Sequence, residues 1–87
     1  MFTKESLTKW SKKFKSNVSA VRLNLRDYSV ICKIDRIVQN ECEEFLSYVN
    51  KGGDFILLGK TNDFESAKFA CNIELKNMGY DISILDF

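Results

Sequence analysis

Residues 53–59 read Gly-Asp-Phe-Ile-Leu-Leu-Gly, an apolar run bracketed by two glycines. Its four central residues are all apolar and lack the alternation that marks a strand with one wet face. A strand that is apolar on both faces is typical of one covered on both sides. We therefore predict that this stretch is the central strand of the sheet and that Leu57 is inaccessible to solvent.

A helix is predicted directly before this strand. Asn40 and Glu43 fit a capping box, in which each side chain hydrogen bonds to the backbone N–H of the other residue. Cys42 begins an apolar face at helical spacing that continues to Val49, and Gly52 suits the left-handed residue just past a helix C-terminus. These signals predict a helix over residues 40–50.

A second helix and a last strand are predicted after the central strand. Asn62 and Glu65 fit another capping box, and the apolar residues that follow share one face of a helix over residues 64–78. Gly79 closes this helix. Residues 80–87 then alternate as a strand does, with Tyr80, Ile82 and Ile84 on one side.

The N-terminal part of the chain predicts a helix and a hairpin. Leu7, Trp10 and Phe14 share one side of an amphipathic helix over residues 3–15, where Trp10 packs into the core. Residues 18–25 and 28–34 alternate with period two and are separated by a two-residue connection, as in a tight hairpin.

Together these patterns predict one domain over residues 1–87. Its class is α+β, with α/β character, and the element order is α-β-β-α-β-α-β. Strand-helix-strand connections are right-handed crossovers, so the last three strands are expected to be largely parallel, with the first strand antiparallel at an edge. The expected architecture is a four-stranded mixed sheet with helices packed on it.

Composition argues against catalysis and metal binding. The chain has no histidine, which removes the usual Cys-His and Ser-His pairs and most zinc ligand sets. Cys32, Cys42 and Cys71 are odd in number, form no CxxC pair and lie in apolar patterns, so we expect three reduced core thiols that react slowly. We predict that the protein is not an enzyme and uses no cofactor or metal.

Charge is divided between the two halves of the chain. Residues 1–38 carry a net charge of +6 and residues 39–87 one of −5, giving +1 overall. No apolar run reaches the roughly 18 residues of a membrane span, so a cytoplasmic protein without membrane contact is expected. The lysine-, asparagine- and isoleucine-rich composition without proline suggests an AT-rich genome, such as that of a phage or plasmid.

Two surfaces are candidates for partner binding. The first is a basic face on the first helix and the hairpin, composed of Lys9, Lys12, Lys13, Arg22 and Arg26. The second is the apolar pair Phe69 and Ile73, which lies opposite the main apolar face of the last helix. Either another helix covers this pair or it binds a partner, including a second copy of the chain in a homodimer.

The ending of the chain resembles known small families. A helix closed by Gly79 and followed by Tyr80-Asp81-Ile82-Ser83-Ile84 is similar to the helix-glycine-strand ending of barstar-type ribonuclease inhibitors and of the SPOR modules that bind septal peptidoglycan. This resemblance covers residues 63–85 and includes no site motif, so it implies no function.

The expected function is that of a small non-catalytic interaction protein. It binds and modulates or inhibits a macromolecular partner, in the manner of a phage- or plasmid-encoded inhibitor, of the anti-defence or host-takeover type, or of an immunity protein. The alternative is a nucleic-acid-binding accessory protein that uses the basic N-terminal helix and hairpin, because clustered cations supply most phosphate affinity.

Overall fold

The computed structural model describes residues 10, 14–15, 17–25 and 29–80. They form four strands and one helix, which are β1 (Ala20–Asn24), β2 (Val30–Gln39), β3 (Cys42–Lys51), β4 (Asp54–Thr61) and α1 (Phe64–Asn77). The strands lie side by side in sequence order, and every pairing is antiparallel. The sheet is therefore a meander with β2 and β3 inside and β1 and β4 at its edges.

Two tight turns make this meander. Asn40 and Glu41 connect β2 to β3 with φ angles of 52° and 65°, and Gly52 and Gly53 connect β3 to β4 with φ angles of 64° and 98°. Two-residue hairpin turns with positive φ match the right-handed twist of the flanking strands. Glycine reaches this region without strain, whereas a left-handed conformation costs Glu41 about 1–2 kcal/mol.

α1 lies across β3 and β4 and covers one face of the sheet. Phe45 and Val49 of β3 are buried beneath Ala67 and Leu75 of the helix. Ser47, also on β3, donates a 3.1 Å hydrogen bond from its hydroxyl to the backbone carbonyl of Ala67. A strand side chain can reach the helix backbone because these two residues are small.

Asp63 starts the helix. Its backbone is extended, and its carboxylate accepts a 2.7 Å hydrogen bond from the Ser66 N–H. This satisfies one of the first-turn N–H groups that have no partner inside a helix. The sequence had placed Asn62 in this role, one residue too early.

Within the described residues, no helix has the length and apolar character of a membrane span.

Trp10 and Phe14 complete the core beside α1. Phe14 packs edge-on against Phe64 and Phe45, with ring centroids 5.2 and 5.4 Å away. The buried indole N–H of Trp10 donates a 2.7 Å hydrogen bond to Oδ1 of Asn72, which is fully buried. The prediction that Trp10 packs into the core is therefore confirmed.

The predicted mixed sheet is not observed in the described residues, and the predicted element order is wrong at its second helix. The small α+β domain and the four-stranded sheet are observed, but all strand pairings are antiparallel and the described residues contain one helix. Residues 42–51 form β3, where a helix was expected. Pairing with strands on both sides decides this segment, because non-local contacts override a helical spacing of apolar residues.

The apolar run at residues 53–59 is an edge strand, so its predicted central position is also wrong. β4 pairs with β3 and, within the described residues, with no other strand. Leu57 is 52% exposed. One extra residue, Leu58, interrupts the register between the pairs Leu57–Tyr48 and Gly59–Ser47 and packs against the core.

Other predictions are confirmed or lie outside the described part of the chain. The first two strands pair as an antiparallel hairpin, and α1 occupies almost the whole predicted range. Gly79 follows it with a φ of 95°. The first helix falls mostly outside the described residues, and so does the last strand from residue 81 onward.

Truncating Leu75 in the core and Leu57 at the sheet edge should lower the free energy of unfolding by different amounts. Leu75 is fully buried on the side of α1 that faces the sheet, so Leu75→Ala should lower the free energy of unfolding by about 2–5 kcal/mol. Leu57→Ala should cost less than about 1 kcal/mol, because its side chain is already half in water. Urea unfolding of both variants measures the difference, and equal losses would contradict the edge position of β4.

Candidate binding surface

The two faces of the sheet differ in what covers them. Residues of β3 that point toward α1 are buried, whereas Leu46 and Tyr48, which point away, remain partly exposed. No element of the described residues packs on the side away from α1. We call this side the open face. Strand register places on it Arg22, Lys33, Asp35, Leu46, Tyr48, Phe55, Leu57 and Lys60.

Three consecutive apolar residues of β4 are exposed at the sheet edge. Phe55, Ile56 and Leu57 are 39%, 46% and 52% exposed. Phe55 and Leu57 lie on the open face, and Ile56 lies on the side of α1. We call these three residues the edge surface. Apolar side chains point from it in both directions, beside a row of backbone groups that pair with no other strand of the described residues.

Lys33 extends over the aromatic residues of the open face. Its ammonium lies 4.9 Å from the ring centroid of Tyr48 and 4.7 Å from that of Phe55. Both distances are in the range of cation–π attraction. Tyr48 lies directly opposite Lys33 across the β2–β3 pair, while Phe55 is one strand further away. The ammonium therefore links three strands and holds positive charge above an apolar surface.

The cations of the open face have carboxylate neighbours. Lys33 lies 3.8 Å from Asp35, and Lys60 lies 3.0 Å from Glu44. Exposed pairs of this kind contribute about 0–1 kcal/mol and are screened by salt. Their effect here is to balance the charge of the open face, where Arg22 is a further exposed cation.

The structure does not test the predicted basic face as a whole. Lys9, Lys12, Lys13 and Arg26 lie outside the described residues. Arg22 is exposed on β1, at the opposite edge of the sheet from the edge surface.

Phe69 and Ile73 are exposed on α1, at 54% and 45%. They lie on the side of the helix that faces away from the buried residues Ala67, Cys71 and Leu75. No described helix covers them. Their role in partner binding, or in a homodimer, stays a prediction.

The three cysteines occupy two kinds of environment. Cys32 on β2 and Cys71 on α1 are fully buried, whereas Cys42 is exposed next to the β2–β3 turn. The prediction that all three are core thiols is therefore wrong for Cys42. The neighbouring Cys71 thiol and burial together raise the pKa of Cys32. The neighbouring Cys32 thiol lowers the pKa of Cys71, but the complete burial of Cys71 controls its reactivity.

A depression of about 460 Å³ lies beside the exposed cysteine, lined by Cys42, Glu43, Glu44 and Asn62. Glu44 already pairs with Lys60 at 3.0 Å. Within the described residues, no group of three or more Cys, Asp or Glu side chains is arranged to hold a metal ion. The depression therefore offers no metal site built from the described residues.

Comparison of the chain with protein-family models, with curated proteins and with solved structures found no match. The surfaces of the molecule are therefore the basis on which its function can be proposed.

Sequence reasoning missed the edge surface because it assigned the same residues to a central strand. Gly52 and Gly53 between two apolar runs were an available signal, since two-residue glycine turns join adjacent antiparallel strands. This signal would have predicted a hairpin formed by residues 42–51 and 54–61. The exposure of β4 has no comparable local signal, because it depends on which strands lie beside it.

Thiol labelling should distinguish one cysteine from the other two. In the native protein one thiol, Cys42, should react rapidly with an aromatic disulfide reagent, and two should react only after denaturation. Cys42→Ser should remove the fast phase, while Cys32→Ser should leave it in place. Rapid labelling of two or more thiols in the folded protein would contradict the burial of the Cys32–Cys71 pair.

Proposed function

We propose that the protein is a non-catalytic interaction protein that binds a protein partner by adding an extended strand of that partner to β4, and so modulates or inhibits the partner. In strand addition, main-chain hydrogen bonds supply affinity and alternating side-chain contacts supply specificity. The edge surface offers both, because its backbone is at the sheet edge and its side chains point to both faces.

This proposal is based on the exposure of three consecutive apolar residues in an edge strand. A long apolar edge is an aggregation hazard, which proteins ordinarily limit with charges, proline or bulges. Asp54 and Lys60 lie near the two ends of β4, and the bulge at Leu58 interrupts its second half. Within the described part of the chain, Phe55, Ile56 and Leu57 lie between them without such protection. Retention of an apolar edge suits a strand that a partner covers.

A second candidate is the binding of single-stranded nucleic acid on the open face. One observation favours it, namely the position of the Lys33 ammonium between the rings of Tyr48 and Phe55. Bases stack on such rings and phosphates bind to such cations. The carboxylates beside Lys33 and Lys60 weaken this candidate, because they oppose a phosphate backbone. Nucleic-acid binding would fall steeply with added salt, whereas strand addition would not.

Strand addition can be tested with peptides selected against the protein. A displayed library of random short peptides should yield extended, apolar binders that compete for β4. Leu57→Lys should weaken their binding about tenfold or more, because it places an ammonium in the apolar contact. Ile73→Lys is the matched control, since Ile73 has similar exposure on α1. Isothermal titration calorimetry measures the affinities.

Backbone methylation of a selected peptide makes the test specific to strand addition. Alternate residues of an added strand direct their N–H groups toward β4, so N-methylation of that set should abolish binding. Methylation of the other alternate set should leave the affinity close to that of the parent peptide. Equal effects of the two sets, or a loss of binding in Ile73→Lys alone, would contradict the proposal.

A further inference from the structure

The edge surface can also pair with itself. We infer that two copies of the chain associate through β4, which pairs antiparallel with β4 of the second copy about a two-fold axis at Leu57. The result is a continuous eight-stranded sheet with one α1 helix from each chain on the same side. This inference rests on the proposed function, because it assigns a second copy of the chain to the same strand-addition site.

The register of β4 determines which residues could meet. Phe55, Leu57 and Lys60 pair with β3 residues of the open face, whereas Asp54, Ile56 and Thr61 pair with residues on the α1 side. Opposed residues of an antiparallel pair point to the same face, so only registers that match these faces are allowed. The bulge at Leu58 shifts the alternation of faces along β4 by one residue, so the register must be counted with Leu58 as an extra residue.

A two-fold axis at Leu57 satisfies this condition along the whole strand. Leu57 then meets its own counterpart, and Phe55 meets Lys60, both on the open face. On the α1 side, Ile56 lies beside the bulge of the other copy, and Asp54 meets Thr61. Every opposed pair shares a face, and by symmetry each of the unlike contacts occurs twice, as in other isologous interfaces.

The chemistry of these contacts is complementary. Phe55 would lie beside the aliphatic part of Lys60, whose ammonium pairs with Glu44 of its own chain at 3.0 Å, while the Lys33 ammonium stays 4.7 Å from the Phe55 ring. A carboxylate would face a hydroxyl at each end, and leucine would face leucine at the centre. No residues of like charge oppose each other. An axis at Ile56 would instead place Asp54 against Leu58, a carboxylate against a core leucine.

The position of Leu57 on the axis gives a direct test. Leu57→Lys opposes two ammonium groups and Leu57→Glu opposes two carboxylates, so each variant alone should show a dimer dissociation constant raised about tenfold or more. Mixed in equal amounts, the two variants should associate again, because the mixed dimer opposes an ammonium and a carboxylate. Sedimentation equilibrium measures the constants, and native mass spectrometry with one variant labelled with heavy nitrogen identifies the mixed dimer.

Three results would overturn the inference. The wild-type chain could stay monomeric at every concentration, or Leu57→Lys and Leu57→Glu could each dimerise as the wild type does. The third such result is that the mixture of the two variants does not associate. Ile73→Lys is the control, and loss of the dimer in that variant alone would assign the interface to α1. Circular dichroism establishes that each variant is folded. If the wild type is monomeric but Leu57→Lys still abolishes peptide binding, the dimer is excluded and the proposed function stands.

Discussion

The close contact between β3 and α1 is the interaction on which the rest of the structure depends. Ser47 donates to the Ala67 carbonyl at 3.1 Å, and Cys71 lies beside the Tyr48 carbonyl at 4.0 Å. Larger side chains at positions 47, 67 or 71 would keep the helix away from the sheet. Because the helix lies this close, Phe45, Val49 and Leu75 are nearly or wholly removed from water. One helix is thereby enough to cover the middle of the sheet.

Among the described strands, β1 and β4 form the two edges of the sheet, and these edges differ. β1 is five residues long and includes a charged residue, whereas β4 is eight residues long and apolar in its middle. Covering a large apolar side chain fully contributes about 1.5–3 kcal/mol. Because the residues of the edge surface are about half exposed, a partner that covers them would gain a substantial part of this free energy. This gain is the energetic basis for binding at β4.

The local elements were predictable wherever one period dominated the sequence. Alternation marked β1 and the first part of β2, and the 3.6-residue period marked α1. β3 was not predicted as a strand because Cys42, Phe45 and Val49 fit a helical face. In addition, Ser47, a polar residue in the core, interrupts the alternation of apolar and polar residues. Only its hydrogen bond to Ala67 across the sheet–helix interface makes serine acceptable there.

The candidate site was less predictable than the fold. An apolar run such as residues 55–58 is expected both for a strand covered on two faces and for an edge strand that binds a partner. The residues themselves are identical in the two cases. What differs is the number of neighbouring strands, which depends on turns and pairings elsewhere in the chain. Arg22 could be identified as exposed from periodicity, since it lies opposite the buried residues of β1, whereas periodicity left open whether another helix covers Ile73.

Amide hydrogen exchange followed residue by residue can show that β3 lies inside the sheet and β4 at its edge. At a concentration low enough to keep the chain monomeric, the amides of Phe45 to Val49 should exchange slowest, because they are paired on both sides or covered by α1. In β4, the amides that point away from β3 should exchange much faster. Uniformly slow exchange along β4, equal to that of β3, would contradict the account.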